Sequence, residues 1–205
     1  MPSIGITGGV ATGKSTIARQ LYESLKHIGS VELFSSDFEA RRLTDTDLAV
    51  QKEIKAAFGV QVFDAEGNLA RDRLRDLVFR DGNARKILES ILHPRIRQAW
   101  VSRTGGGGLL LAEIPLLYET GAESYFDRII VTACSRASQI QRIVSGRGLS
   151  KELAEQIIRA QLDLEEKIYR ADWVVWTDCP LDVTIHQISL ISQKVIEDYG
   201  GGVKC

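Results

Sequence analysis

Residues Gly8 to Ser15 read Gly-Gly-Val-Ala-Thr-Gly-Lys-Ser, which satisfies the spacing G-x-x-x-x-G-K-[ST]. Those residue types at that spacing build an anion cradle. Glycines at the fixed ends let the backbone curl until successive N–H groups face one concavity. The N-terminus of a following helix adds partial positive charge to it. The cradle runs through Gly8, Gly9, Val10, Ala11, Thr12, Gly13, Lys14, Ser15 and Thr16. Lys14 is suited to bridging β- and γ-phosphates, and the Ser15 hydroxyl to ligating Mg²⁺. The implied ligand is a nucleoside triphosphate.

Moving a phosphoryl group needs further charges. Leu109-Leu110-Leu111-Ala112-Glu113 is an apolar run ending in a carboxylate, placed to act on the metal or its water shell. Asp37 follows the run Val31–Phe34 through Ser35-Ser36. It is either the cap of a helix beginning at Phe38 or the group that takes the proton of an attacking hydroxyl. The second strand is expected beside the first, which would bring Asp37 near the γ-phosphate. Arg142, Arg147 and Arg159 lie in a segment interrupted by Gly146 and Gly148, the pattern of a lid over the phosphates. His93 precedes Pro94 in a helical pattern with Arg95 and Arg97 beside it, a basic neighbourhood or a packing position.

The elements that must position these residues can be outlined from pattern. Continuous apolar runs at Ile4–Thr7, Val31–Phe34, Leu109–Ile114, Arg128–Ala133 and Asp172–Trp176 suit a parallel sheet buried on both faces. Helical patterns separate them, beginning with Ile17, Leu21, Leu25 and Ile28. Ser135 is placed to cap one helix, and Leu181, Ile185, Ile188 and Val195 mark a last one ending at Gly200-Gly201-Gly202. Val203-Lys204-Cys205 reads as a tail. Between the second and third strands lie helical patterns at Leu48–Phe58, Arg71–Phe79 and Ala84–Val101. A short extended segment, Val60–Phe63, and a turn at Asp64–Gly67 break them, and Gly105–Gly108 forms a joint back to the sheet. Trp100, Trp173 and Trp176 are assigned to the core. The fold expected is an α/β P-loop NTPase three-layer sandwich with a parallel five-stranded sheet. Its core covers about 1–44 and 105–205, its inserted helical lobe about 45–104 and its helical lid about 139–165.

Bulk properties narrow the classes. The 205 residues carry 26 basic and 27 acidic side chains, net charge −1, so no overall field favours nucleic acid or an anionic membrane. Cys134, Cys179 and Cys205 are three, far apart and without C-x-x-C spacing, which argues against a disulfide framework or a zinc site. No run is apolar and long enough to span a bilayer, and no signal-like segment opens the sequence. A cytoplasmic protein is expected, a monomer or small homo-oligomer, with no nucleic-acid or membrane partner.

The chain resembles the dephospho-CoA kinase family over nearly its whole length. Gly5–Gly9 with Gly13-Lys14-Ser15-Thr16 is similar to that family's phosphate loop, and Asp37 with Ala40-Arg41 to its D-x-x-A-R segment. The inserted lobe resembles it at Phe58-Gly59, Phe63-Asp64, Gly67-Asn68-Leu69, Val78–Asp81 and Ile91–Pro94, and Pro115–Glu119 resembles P-L-L-[FY]-E. Gln139 with Arg142, then Gln161 and Ala171-Asp172, extend the match. The resemblance implies transfer of the ATP γ-phosphoryl group, with Mg²⁺, to the 3′-hydroxyl of the ribose of dephospho-CoA. It implies Asp37 as base, Lys14 and Arg142 as catalytic cations and Arg147 as a second lid arginine. Ser15 and Glu113 would serve the metal, while Arg41, His93, Leu116 and Leu117 would line a CoA-binding lobe and acceptor site. Three positions depart from the pattern: Ser35 stands where an aspartate is usual, Arg147 falls one residue late, and Thr177 replaces an asparagine.

Overall fold

Five apolar runs pair into one all-parallel sheet: β1 (Ser3–Gly8), β2 (Val31–Ser35), β3 (Leu109–Glu113), β4 (Arg128–Ala133) and β5 (Trp173–Trp176). Their order across the sheet is β2-β3-β1-β4-β5. All six residues of β1 are buried, as a central strand covered on both faces requires. The structure, a computed structural model, describes residues 2–104 and 106–199, with only the backbone of Phe79. The expected glycine joint is therefore described at Gly106–Gly108 alone. The Gly200–Gly202 helix end and the Val203–Cys205 tail lie outside the described residues.

The chain divides into two compact units. The first comprises Met1–Ser35 and Arg103–Cys205, the second Ser36–Ser102. In the first, α1 (Lys14–Leu25) presents Ile17, Ala18, Leu21 and Leu25 along one face, the i, i+4 spacing of an apolar stripe. Those residues pack with Ile4, Ile6, Leu111, Ile130 and Val175 of the sheet and with Ile188, Ile191 and Val195 of α9 (Leu181–Tyr199). Burying each large side chain contributes about 1.5–3 kcal/mol, so this cluster sets the stability of the sheet's first face. A smaller cluster of Val10, Ile143 and Ala154 joins the phosphate-loop segment to α6 (Arg136–Arg147) and α7 (Lys151–Arg159). The segment continues through α8 (Leu164–Tyr169), which packs on β4.

The second unit holds α2 (Ser36–Thr46), α3 (Leu48–Phe58), α4 (Arg71–Arg80) and most of α5 (Gly82–Thr104). Leu43, Val50, Ile54, Phe58, Leu74, Ile91 and Leu92 form its own core. Asp47 starts α3 by accepting hydrogen bonds from the N–H groups of Ala49 and Val50, at 2.9 and 3.1 Å.

Four expectations are corrected. β2 does not lie beside β1: it pairs only with β3, at the sheet edge. Val60–Val62 is a 3-10 turn, and only Phe63 makes an isolated bridge, to Leu69. The helix after β2 begins at Ser36, so Asp37 sits in its first turn and does not cap a helix beginning at Phe38. Trp176 is 41% exposed, unlike Trp100 at 2%. Alternate residues of β5 face opposite sides of the sheet: Val175 packs into the cluster with α1 and α9, while Val174 and Trp176 face the other way and are exposed.

Candidate active site

β1 delivers the chain to the phosphate loop at Gly8, whose φ is 147°. A Cβ there would stand 2.2 Å from the Thr132 carbonyl oxygen of β4, so only glycine fits this approach. Ala11, at φ 60°, is the one non-glycine in the left-handed region among the described residues. Such a conformation costs roughly 1–2 kcal/mol and persists only where its surroundings over-determine it.

The surroundings do so. The Thr12 hydroxyl donates to the Gly9 carbonyl at 2.8 Å and shares a 2.7 Å hydrogen bond with the Thr132 hydroxyl. Gln139 Nε2 donates to the Val10 carbonyl, and the Val10 N–H donates to Gln161 Oε1, both at 2.8 Å. Arg142 donates to the Ala11 carbonyl at 3.2 Å. Residues 9–12 are thus gripped by side chains from β4, from α6 and from the turn after α7.

Three of the expected reactive groups, Lys14, Ser15 and Glu113, are found there. Lys14 Nζ donates to the loop's own carbonyls, Gly9 at 2.6 Å and Gly8 at 3.3 Å. That contact holds its ammonium over the cradle. The Ser15 hydroxyl donates to Glu113 Oε1 at 2.5 Å, and Glu113 is only 6% exposed at the end of β3. Register explains the meeting: Glu113 stands opposite Ile6 of β1 on one side and Ser35 of β2 on the other.

Arg142 is held by Thr177. Its guanidinium donates to the Thr177 hydroxyl at 2.9 Å and to the Thr177 carbonyl at 2.8 Å. Next in the chain, Asp178 accepts from the Ser138 hydroxyl at 2.6 Å and the Ser135 N–H at 3.3 Å. Hydrogen bonds from Ser135 and Ser138 hold the Asp178 carboxyl below the ordinary carboxylate range. Arg147 is not brought to this group. α6 is regular to its end, where Gly148 turns left-handed, so five residues carry Arg147 about 140° around the axis from Arg142. Its side chain is exposed. Arg159 pairs with Glu155 at 3.2 Å and lines a cavity of about 640 Å³ beside Gly9, together with Gln139, Gln161, Asp163 and Trp176.

The Pro115–Glu119 segment splits in two. Leu116 is half-buried, but Leu117 is fully buried, seated where a Cβ on Gly5 would collide with it at 2.6 Å. Leu117 is therefore a packing residue and not a lining one. Tyr118 is buried, and burial pushes its phenol up to about 12, although the Arg170 guanidinium 4.3 Å over the ring opposes the shift. In the second unit, Asp37 and Arg41 are exposed one turn apart on α2, a spacing that places both on one face. His93 is half-buried in α5.

Sequence reasoning named Gln139 and Gln161 only as part of the family resemblance, with no role at the loop, and did not foresee the burial of Lys167. The glutamines give no local signal, because their partner is the backbone of Val10, far away in sequence. Lys167 follows Glu165-Glu166 and reads as a solvated helix face, yet it is completely buried.

A family model for dephospho-CoA kinase matches residues 2–182. The chain is 30% identical over 201 residues to a dephospho-CoA kinase of Listeria monocytogenes, covering 96% of this chain and 98% of that protein. It is 36% identical over 174 residues to one of Methylococcus capsulatus, covering 84% and 85%. A Thermus thermophilus protein of known crystal structure superposes with a TM-score of 0.75 at 30% identity, covering 97% of each chain. The dephospho-CoA kinase of Campylobacter jejuni shares the fold at a TM-score of 0.68 and 24% identity, over 96% of this chain and 98% of that one.

Proposed function

The chain belongs to the dephospho-CoA kinase family, and we propose that its phosphate loop, Glu113, Arg142 and Asp37 divide the work of that reaction among them. The reaction is ATP-dependent phosphorylation of the 3′-hydroxyl of the ribose of dephospho-CoA, giving CoA and ADP in the last step of CoA synthesis. The observation that carries the assignment is the Ser15–Glu113 pair beside Lys14 on the loop.

The loop amides and Lys14 bind the β- and γ-phosphates, and Lys14 leaves the Gly8 and Gly9 carbonyls for phosphate oxygens. Ser15 and Glu113 are hard oxygen donors that suit Mg²⁺, a cation that keeps several waters and takes the rest of its shell from phosphates. When bound there, Mg²⁺ neutralises charge on the transferring group. Arg142, fixed by Thr177 at Ala11, adds a cation on the lid side of the loop. Asp37 lies two residues beyond Ser35, which is paired with Glu113. It accepts the proton of the 3′-hydroxyl as that oxygen attacks the γ-phosphorus, and ADP departs. Arg41, His93 and Leu116 bind the acceptor, and residues 139–165 serve as the lid. Three cysteines, far apart in sequence and without C-x-x-C spacing, fit a reducing compartment such as the cytoplasm.

The test is ADP release by the purified protein with ATP, Mg²⁺ and dephospho-CoA, with AMP and adenosine as control acceptors. Turnover confined to dephospho-CoA, a product heavier by one phosphoryl group, and loss of turnover on chelation of Mg²⁺ are expected. Equal turnover with AMP or adenosine would overturn the acceptor assignment.

A further inference from the structure

We propose that Lys167 is a positioning residue for phosphoryl transfer, acting on the phosphate loop through Glu119 and the Gln161-Leu162 turn. The proposal rests on the kinase reading above and assigns it a residue that touches neither substrate.

Lys167 lies on α8, a short helix whose other polar residues are partly or fully exposed, yet its side chain is 0% exposed. Its Nζ stands 2.7 Å from Glu119 Oε1 and 3.5 Å from the Pro115 carbonyl oxygen. The pair is buried at the Lys167 end only, since 20% of the Glu119 side chain stays exposed; desolvating the ammonium offsets much of the attraction, so the pair is not a default source of stability. What the pair supplies is a fixed geometry, and that geometry leads to the loop at two points. Glu119 Oε1 also accepts from the Leu162 N–H at 3.0 Å. The residue before it, Gln161, accepts from the Val10 N–H at 2.8 Å. On the other side, the Pro115 carbonyl that faces Lys167 accepts from the Thr7 hydroxyl at 3.2 Å. Thr7 is the residue before Gly8, and Val10 the residue before Ala11 with its left-handed backbone.

The hydrogen bonds therefore form a ring: Thr7, Pro115, Lys167, Glu119, the Leu162-Gln161 turn, Val10. It grips the first turn of the phosphate loop from both ends. Without the ammonium, the partly exposed Glu119 carboxylate is free to turn toward water and away from the Leu162 N–H, the 161–162 turn loosens, and Val10-Ala11 can relax. The amides that receive phosphate then lose their shared aim.

Three variants test this. Lys167→Met should lower kcat about 10-fold and weaken MgATP binding by a similar factor, the scale of a small misplacement of reacting groups, while KM for dephospho-CoA moves less than about twofold. Lys167→Arg, which keeps charge and donors, should restore MgATP affinity to within about threefold of the parent. Gln161→Ala leaves the ion pair intact and should reproduce the loss of MgATP affinity. Affinity is read by calorimetric titration of ATP with Mg²⁺ and folding by thermal denaturation. MgATP binding at parental strength in both Lys167→Met and Gln161→Ala, with only Tm lowered, would reduce Lys167 to a packing role and overturn the proposal. If the parent protein binds MgATP but does not phosphorylate dephospho-CoA, the functional reading fails, and the binding comparison still decides this one.

Discussion

The phosphate loop and the helix that carries Asp37 are built on opposite principles. In the loop, Thr12 is fully buried, Val10 is 7% exposed, and residues 9–12 are gripped by Thr132, Gln139, Gln161 and Arg142. On α2, Asp37 and Arg41 are exposed and Phe38 is 68% exposed. The loop must present several amides to one phosphate chain at once, so its order is established on folding and is not charged against nucleotide binding. A base needs only one oxygen within reach of one proton, and it can be brought to its place as the acceptor binds. Nucleotide affinity should therefore be insensitive to α2, and turnover should not.

The sharpest way to break this contrast is Asp37→Asn. It should reduce kcat by about 10² to 10⁴-fold, the worth of a general base, and leave MgATP affinity within about twofold. ADP release and calorimetry check the two halves, and retained turnover would remove Asp37 from its role. A smaller effect is expected at Tyr118, whose buried hydroxyl has no hydrogen-bond partner among the described residues. Tyr118→Phe should leave stability equal or raise it by up to about 1 kcal/mol, since nothing is lost and an unpaired polar atom is removed. Burial lifts the Tyr118 phenol from its usual 10.0 to about 12. A folded-state value above the unfolded one means the native state holds the proton more tightly. Its contribution is then complete below pH 10 and is lost as pH rises from there to about 12. Urea denaturation at pH 8 and 10.5 should show the parent losing more stability than Tyr118→Phe over that interval. The smallest effect belongs to Arg147→Ala, which should change turnover by less than about threefold, because Arg147 points away from the Arg142 group. A larger loss would mean that the end of α6 unwinds when nucleotide binds.

The loop was legible in the sequence because its chemistry is local: glycine, lysine and serine at fixed spacing dictate the backbone whatever surrounds them. Local periodicity likewise places β4 at Arg128–Ala133 and α3 at Leu48–Phe58, where the structure has them. Strand order is not local. The registers Ser35↔Glu113 and Ile6↔Glu113 join residues far apart, and nothing within Val31–Ser35 says that β3 intervenes between β2 and β1. Lys167 is the extreme case. Glu-Glu-Lys describes a wet helix face, and only the packing of α8 shows that the third residue turns inward. At Val60–Val62, flanking glycine and tertiary packing override the β-branched composition that suggests a strand.

Strand order also schedules the chain's birth. β1 and β2 share no hydrogen bonds, and both pair with β3. A ribosome that has released Ser35 must add the whole of the second unit before Leu109 emerges. At usual elongation speeds that is a delay of roughly 4–15 seconds. Through that interval two apolar strands have no partner in the nascent polypeptide, while the helical segment, rich in short-range contacts, is free to fold first. Nascent chains stalled between residues 60 and 105 should be the ones that chaperones hold longest.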